Sequence, residues 1–151
     1  MISSENEQGM FVTILCAMLN TETGEVEIAN AGHNPPLIHR GRGEGFEYIA
    51  LPEGIVLGPI EGARFSSLKV TLEPGDVIFF YTDGVTEAMN PRSEFFSEER
   101  LKTTLTSMQS EQIVDMVSGI RDAVKDFAQE APQSDDITML ALQYKGATGG
   151  S

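Results

Sequence analysis

Val77-Ile-Phe-Phe-Tyr-Thr-Asp-Gly-Val-Thr-Glu87 decides the reading of this chain. Its first six residues are β-branched or aromatic, and they predict a strand over Val77–Thr82 that is covered on both faces. The strand runs directly into Asp83-Gly84. A carboxylate at a strand end, followed by Gly, is one way to present oxygen to a hard cation. Asp-Gly is also among the commonest turn dipeptides, so on these residues alone both readings stand.

Upstream, Glu73-Pro74-Gly75-Asp76 is a tight turn with Pro and Gly in favoured places, and Phe65–Leu72 alternates loosely. Met10–Leu19 is a long apolar run that predicts a buried strand, and Asn20–Gly24 supplies hairpin chemistry. Glu25–Ala31 alternates, with Val26 and Ile28 on one face. Pro35-Pro36 stops it, Leu37-Ile38-His39 starts another strand, and His39 reads as a surface residue. Gly41–Gly45 predicts a mobile loop beside Arg40 and Arg42. Phe46, Tyr48 and Leu51 predict a short strand before the Pro52-Glu53-Gly54 turn.

Downstream come two helices. Ser97 can cap the first, with Glu98 and Glu99 in its first turn and Leu101 and Leu105 inward. Ser110 can cap the second, where Ile113, Val117, Ile120, Val124 and Phe127 recur at helical spacing, and Pro132 lies beyond its end. Ile137–Tyr144 is a final apolar strand. Several strands, two helices and one strand give an α+β fold with helices on mainly antiparallel sheets. Met10–Leu19 and Val77–Thr82 are apolar on both faces, which asks for two stacked layers.

The chain of 151 residues has room for one domain, and 40% hydrophobic with 22% charged residues suits a globular core. Ten Lys and Arg against 23 Asp and Glu give a formal charge of −13, which repels nucleic acid and anionic lipid surfaces. No apolar run reaches bilayer length, so no membrane partner is expected and a cytoplasmic location is. Cys16 is the only cysteine, which excludes an intrachain disulfide or a cysteine-rich zinc site; in an apolar run without basic neighbours it reads as inert. Met1–Gly9 reads as a disordered tail and residues 146–151 as linker, leaving 10–145 as the domain.

Two further motifs bear on chemistry. Ser134-Asp135-Asp136-Ile137-Thr138 places two acids before the last strand; neighbouring strand residues face opposite ways, so one of the two faces any shared site. Alone it suits a solvated loop. If the last strand neighbours Val77–Thr82, the two acidic ends converge, and a divalent cation neutralises them. With no thiolate cluster and little His, that cation is Mg²⁺ or Mn²⁺. In Asn30-Ala-Gly-His-Asn-Pro-Pro36, His33 suits an acid, a ligand or a phosphate contact, and equally a structural hydrogen bond at a kinked loop.

Met10-Phe-Val-Thr13, Ala31-Gly-His-Asn-Pro-Pro36, Tyr81-Thr-Asp-Gly-Val-Thr-Glu-Ala88 and Ser134-Asp-Asp-Ile-Thr138 occur here in that order. Together with Val56-Leu-Gly58, Glu73-Pro-Gly-Asp76 and the helix entry at Phe95–Leu101, they resemble the C-terminal two-thirds of the SpoIIE and RsbU-type serine phosphatase domain. That domain belongs to the metal-dependent protein phosphatase 2C class. The resemblance implies a sandwich of two antiparallel sheets with flanking helices. It implies hydrolysis of phosphoserine or phosphothreonine by a water held between two Mn²⁺ or Mg²⁺ ions, with no catalytic residue beyond the metal ligands. By the match Asp83 and Asp135 are metal ligands, Asp136 is a supporting or additional one, and Gly84, Thr138 and His33 support the site. The implied partners are phosphorylated anti-sigma-factor antagonists in bacterial sigma-factor regulation.

The resemblance lacks the family's Gly-Gly-Asp and Asp-x-x-Gly-His-Gly stretches, which points to an N-terminally truncated domain with half of the metal site. Weak Mn²⁺ binding, negligible activity in isolation and pairing through exposed sheet edges into a homodimer or swapped oligomer are the expectations. A non-catalytic interaction module on a degenerate phosphatase fold is the alternative.

Overall fold

The computed structural model describes residues 13–50, 66–133 and 135–147. Its elements in order are β1 (Ile14–Leu19), β2 (Glu25–Ala31), β3 (Leu37–His39), β4 (Glu47–Tyr48), β5 (Ser66–Thr71), β6 (Val77–Tyr81), α1 (Asp83–Thr86), α2 (Ser97–Ser107), α3 (Ile113–Ala128) and β7 (Met139–Gln143). Two antiparallel sheets result, ordered β1-β2-β5 and β4-β3-β6-β7, so the α+β expectation holds. The chain divides into two compact units, one holding the first sheet, the other holding the second sheet and all three helices.

In the first unit, Asn20 builds the β1–β2 hairpin. Its side-chain oxygen accepts from the Glu22 and Thr23 amides, and Gly24 turns the chain at a φ of +78°. Val26 and Ile28 are buried from β2 as their alternation predicts. β1 is shorter than the apolar run, whose residues 10–12 lie outside the described ones, and it is not a buried strand. It sits at a sheet edge among the described strands, with Met18 65% exposed and Cys16 exposed as well. An apolar run specifies a strand; it does not specify how many neighbours that strand receives. The expected Phe65–Leu72 strand is β5, and the turn at 52–54 falls outside the described residues.

In the second unit, β6 is central, between β3 and β7, and Val77, Phe79 and Tyr81 pack with Leu101, Leu105, Met116, Ile120 and Val124 of α2 and α3. Val77, Phe79 and Tyr81 are therefore the face that meets the helices, and Ile78, on the other face, is buried as well. Ser97 stands at the entry of α2, where its hydroxyl accepts from the Arg100 amide at 3.4 Å. Ser110 does not cap α3. Met108–Glu111 is spent in successive turns, from the Met108 amide to Leu105 and the Glu111 amide to Met108, so the helix starts at Ile113 behind an extended Gln112.

Two expectations for the loop after β3 fail together. His39 is buried, with Nδ1 donating to the Gly45 carbonyl at 2.8 Å and its ring 5.2 Å from that of Phe46. The glycine loop is anchored rather than mobile: the Gly41 amide and Arg40 guanidinium both donate to Asp76 at 2.8 Å, and Gly45 is tied to Gln109. Asp76, 2% exposed, also accepts from the Glu73 amide. Burial acts to raise its carboxyl, but the two amides and Arg40 outweigh that and hold it below the ordinary value of 3.8. A carboxyl with a depressed folded pKa stabilises fully above its unfolded value and loses that contribution as pH falls through the folded one. Asp76→Asn is therefore expected to cost about 2 kcal/mol at pH 7. Urea melts should show that the loss begins to shrink as the pH falls below the unfolded value of 3.8 and disappears once it has passed through the lower folded one, where the folded wild type is itself protonated.

Candidate metal centre

β6 and β7 are antiparallel neighbours in register from Val77↔Gln143 to Tyr81↔Met139. The expected condition for convergence of the two acidic motifs is thus met. Beyond Tyr81 a side chain takes over the ladder. The Thr82 amide donates to the Thr138 carbonyl and the Thr138 amide donates to Thr82 Oγ1, each at 3.1 Å. The same hydroxyl donates to the Asp136 carbonyl at 3.0 Å, so it uses its proton and a lone pair at once. Thr82 thereby fastens the segment before β7 to the segment after β6.

Gly84 makes that fastening possible. It is buried, and a Cβ added there would land on the Asp136 carbonyl oxygen. Glycine is needed for close approach of two backbones rather than for a positive φ. The Asp83-Gly84 turn read from the sequence is a short helix, α1, because the Glu87 amide reaches back to the Asp83 carbonyl at 2.8 Å. Asp83 opens that helix, where a carboxylate is favoured by the free amides.

Asp135 and Asp136 do different things. Asp135 Oδ1 accepts from the Asp136 amide at 2.7 Å, and its carbonyl accepts from Gln133. Asp136 offers Thr82 its backbone. The third acid is Glu87, which the sequence reading leaves out of the site. Its carboxyl is raised, first by partial burial, then by the negative charges of Asp83 and Asp135. Those three acids share one field. The available signal is the four-residue spacing of Asp83 and Glu87, which has meaning only once the turn is known to be helical.

Oxygen donors without thiolate suit a hard divalent cation, and crowded carboxylates are what such an ion relieves. Among the described residues, however, no three His, Cys, Asp or Glu side chains come close enough together to hold an ion. Thr138 enters through its backbone amide and carbonyl. His33 lies in the first unit, with its amide donating to Asn30 Oδ1 at 2.9 Å and Nδ1 donating to the Asn34 carbonyl at 3.2 Å.

Gly84→Ala is expected to destabilise by about 1–3 kcal/mol, because backbone and not a flexible side chain must give way. Thr82→Val should cost about 1 kcal/mol or more through the stranded Thr138 amide. Thermal melts check both. Replacing Asp83 by Asn removes one negative charge from the field, so the Glu87 pKa should fall; carboxyl NMR titration of the metal-free protein reads it directly.

The family model described as Stage II sporulation protein E (SpoIIE) matches residues 1–145. Protein IcfG of Synechocystis sp. is 30% identical over 140 residues, which cover 93% of this chain and 22% of IcfG. Phosphoserine phosphatase RsbU of Bacillus subtilis is 27% identical over 139 residues, 92% of this chain and 41% of RsbU. The chain therefore spans between about a fifth and two fifths of the length of these relatives. The phosphatase domain of the cell fate determinant SpoIIE from Bacillus subtilis, solved after presoaking with Mn, superposes with a TM-score of 0.70 at 13% identity, covering 96% of this chain and 61% of that one. Four ordered motifs, two antiparallel sheets with helices and these matches agree: the chain belongs to the Stage II sporulation protein E (SpoIIE) family and has the protein phosphatase 2C-like fold of its phosphatase domains.

Proposed function

We propose that this chain is the metal-binding part of a protein serine/threonine phosphatase that acts on a phosphorylated anti-sigma-factor antagonist. The observation that carries the reading is the lock between Thr82, Thr138 and Asp136, which keeps the Asp83 and Asp135 segments side by side at one end of β6 and β7. A solvated loop has no use for a buried Gly whose only evident duty is to let one acidic segment touch another. Family membership and the likeness to a protein named as a phosphoserine phosphatase support the reaction class.

Asp83 and Asp135 would hold Mn²⁺ or Mg²⁺, with Asp136 available beside them. A divalent ion bound there supplies a water of lowered pKa and charge neutralisation for phosphoryl oxygens. The chain's own contribution is to present the acids without rearrangement: Thr82 fixes one segment against the other, Gly84 sets their separation, and the Asp136 amide orients the Asp135 carboxylate through Oδ1. Glu87, disfavoured as an anion first by partial burial and then by two neighbouring carboxylates, would ionise more easily once their charge is balanced.

A second reading has an observation behind it. With no three-ligand cluster among the described residues, these acids alone make a weak site, and the isolated chain is then a binding module rather than a catalyst. Paramagnetic titration with Mn²⁺ at fixed ionic strength tests both readings. Saturable binding, weakened at least tenfold in Asp83→Asn and in Asp135→Asn and less in Asp136→Asn, is expected. Binding indifferent to all three would reduce the effect to attraction by a −13 surface and leave the interaction module standing. Mn²⁺-dependent release of phosphate from phosphoserine protein, lost in Asp83→Asn, is the catalytic counterpart; in the isolated chain it is expected to be negligible.

A further inference from the structure

Between α1 and α2 the chain makes a small hairpin that the proposed reaction leaves unused. Met89 and Phe95 face each other across it in an antiparallel bridge. The Asn90 amide donates to the Glu94 carbonyl at 3.0 Å on one side of that pair, and the Phe96 amide donates to the Ala88 carbonyl at 2.7 Å on the other. Met89 and Phe95 are therefore the non-hydrogen-bonded pair, in which opposed side chains stand closest. Pro91-Arg92-Ser93 closes the loop, with Ser93 in the left-handed region at a φ of +63°. Asn90 holds the tip from within. Its Oδ1 accepts from the Arg92 and Glu94 amides and its Nδ2 donates to the Glu94 carboxylate, each at 3.0 Å.

The two faces of the hairpin differ. Phe96 belongs to the core and Ala88 packs against it, whereas Met89 is 36% and Phe95 51% exposed. Alternation turns the latter two away from the core. Scattered singly, such residues need no explanation; opposed on a hydrogen-bonded loop, they form one patch. The patch adjoins the acids. A cavity of about 290 Å³ is lined by Gly84, Ala88, Met89 and Ile137 among others. Gly84 follows Asp83 and Ile137 follows Asp136, so Met89 shares a wall with both acidic segments. One turn of α1 and three further residues join Asp83 to Met89, which keeps them within about 15 Å of each other, the span of about four to five extended residues.

We infer that Met89 and Phe95 are specificity-determining residues, taking apolar side chains that lie about four to five residues from the phosphorylated residue of a protein substrate. The inference rests on the phosphatase reading for the identity of the partner; the apolar contact itself needs no metal. Continuity with the acidic site argues for this occupant, because a polypeptide held at Asp83 and leaving along α1 meets the hairpin within that span. Charge does not make the selection, since the hairpin carries one Arg and one Glu, Arg92 and Glu94. Contact area does: Phe95 offers a rigid ring, and Met89 adapts to differing apolar shapes. The loop is ordered before binding, so little freedom is lost on contact. A small phosphate ester has no flanking chain and gains nothing here.

The probe is the peptide Leu-Leu-Gly-Asn-Gly-Ser-Gly-Asn-Gly-Leu-Leu, titrated into metal-free protein and followed by the Met89 methyl and Phe95 ring NMR signals. It should bind saturably and shift both signals, and the same peptide with Ser for each Leu should bind at least fivefold more weakly. Met89→Ser with Phe95→Ser should weaken the first peptide at least fivefold, and Met89→Leu with Phe95→Leu should bring it back to within twofold of wild type. Arg92→Ala should leave it unchanged. Met89 and Phe95 are exposed, so circular dichroism should be the same in all variants. Absence of shifts at the two side chains, equal binding of the two peptides or unchanged binding in the Ser variant overturns the proposal. So do concentration-dependent shifts there without peptide, which would make a second copy the occupant. Asp83→Asn separates this inference from the reading beneath it: Mn²⁺ binding should weaken at least tenfold while peptide binding stays intact. Peptide binding in a protein with no saturable Mn²⁺ site would retain the apolar contact and discard the phosphatase.

Discussion

The pairing of β6 with β7 is the constraint from which the rest of the second unit follows. Five residue pairs in antiparallel register bring the C-terminal end of one strand to the N-terminal start of the other. Two acidic motifs more than fifty positions apart in sequence thereby become neighbours. Thr82 extends the pairing past the last residue of β6 by substituting its hydroxyl for a backbone group. Without that register, Asp83 and Asp135 are two unrelated loop acids. With it, both add their negative charge to the partial burial that disfavours the ionisation of Glu87.

Stability and site presentation are separated in this unit. The face of β6 buried with α2 and α3 supplies apolar packing through Phe79, Leu101, Leu105 and Ile120. Asp76 ties the opposite end of the strand to the glycine loop through Arg40 and the Gly41 and Glu73 amides. The acids at the far end are exposed and contribute repulsion, not cohesion. A fold that tolerates this arrangement has its stability elsewhere, in the apolar face of β6 and the Asp76 anchor.

Charge has two roles here. The net −13 sets the class of partner that the surface as a whole rejects, and it makes each local reversal of sign informative. Arg40 is consumed in holding Asp76.

Much of the fold was legible in the residues because its signals are local. Val77–Tyr81 is a strand by composition, α2 and α3 by periodicity, and the β1–β2 hairpin by Asn20 and Gly24. Ser134–Thr138 and Tyr81–Ala88 carried the family in their order alone. Where the sequence misled, the answer depended on partners. Burial of His39 depends on Phe46 and the Gly45 carbonyl, the order of the glycine loop on Asp76, and the exposure of β1 on its place at a sheet edge. Glu87 joined the acids only because Asp83-Gly84 opens a helix. Sequence by itself determined which segments would be strands and helices and which acids end them, since propensity and pattern act over a few residues. Tertiary structure alone decided which of those ends meet, because strand register and the approach of Gly84 to Asp136 are set by contacts between residues distant in the chain.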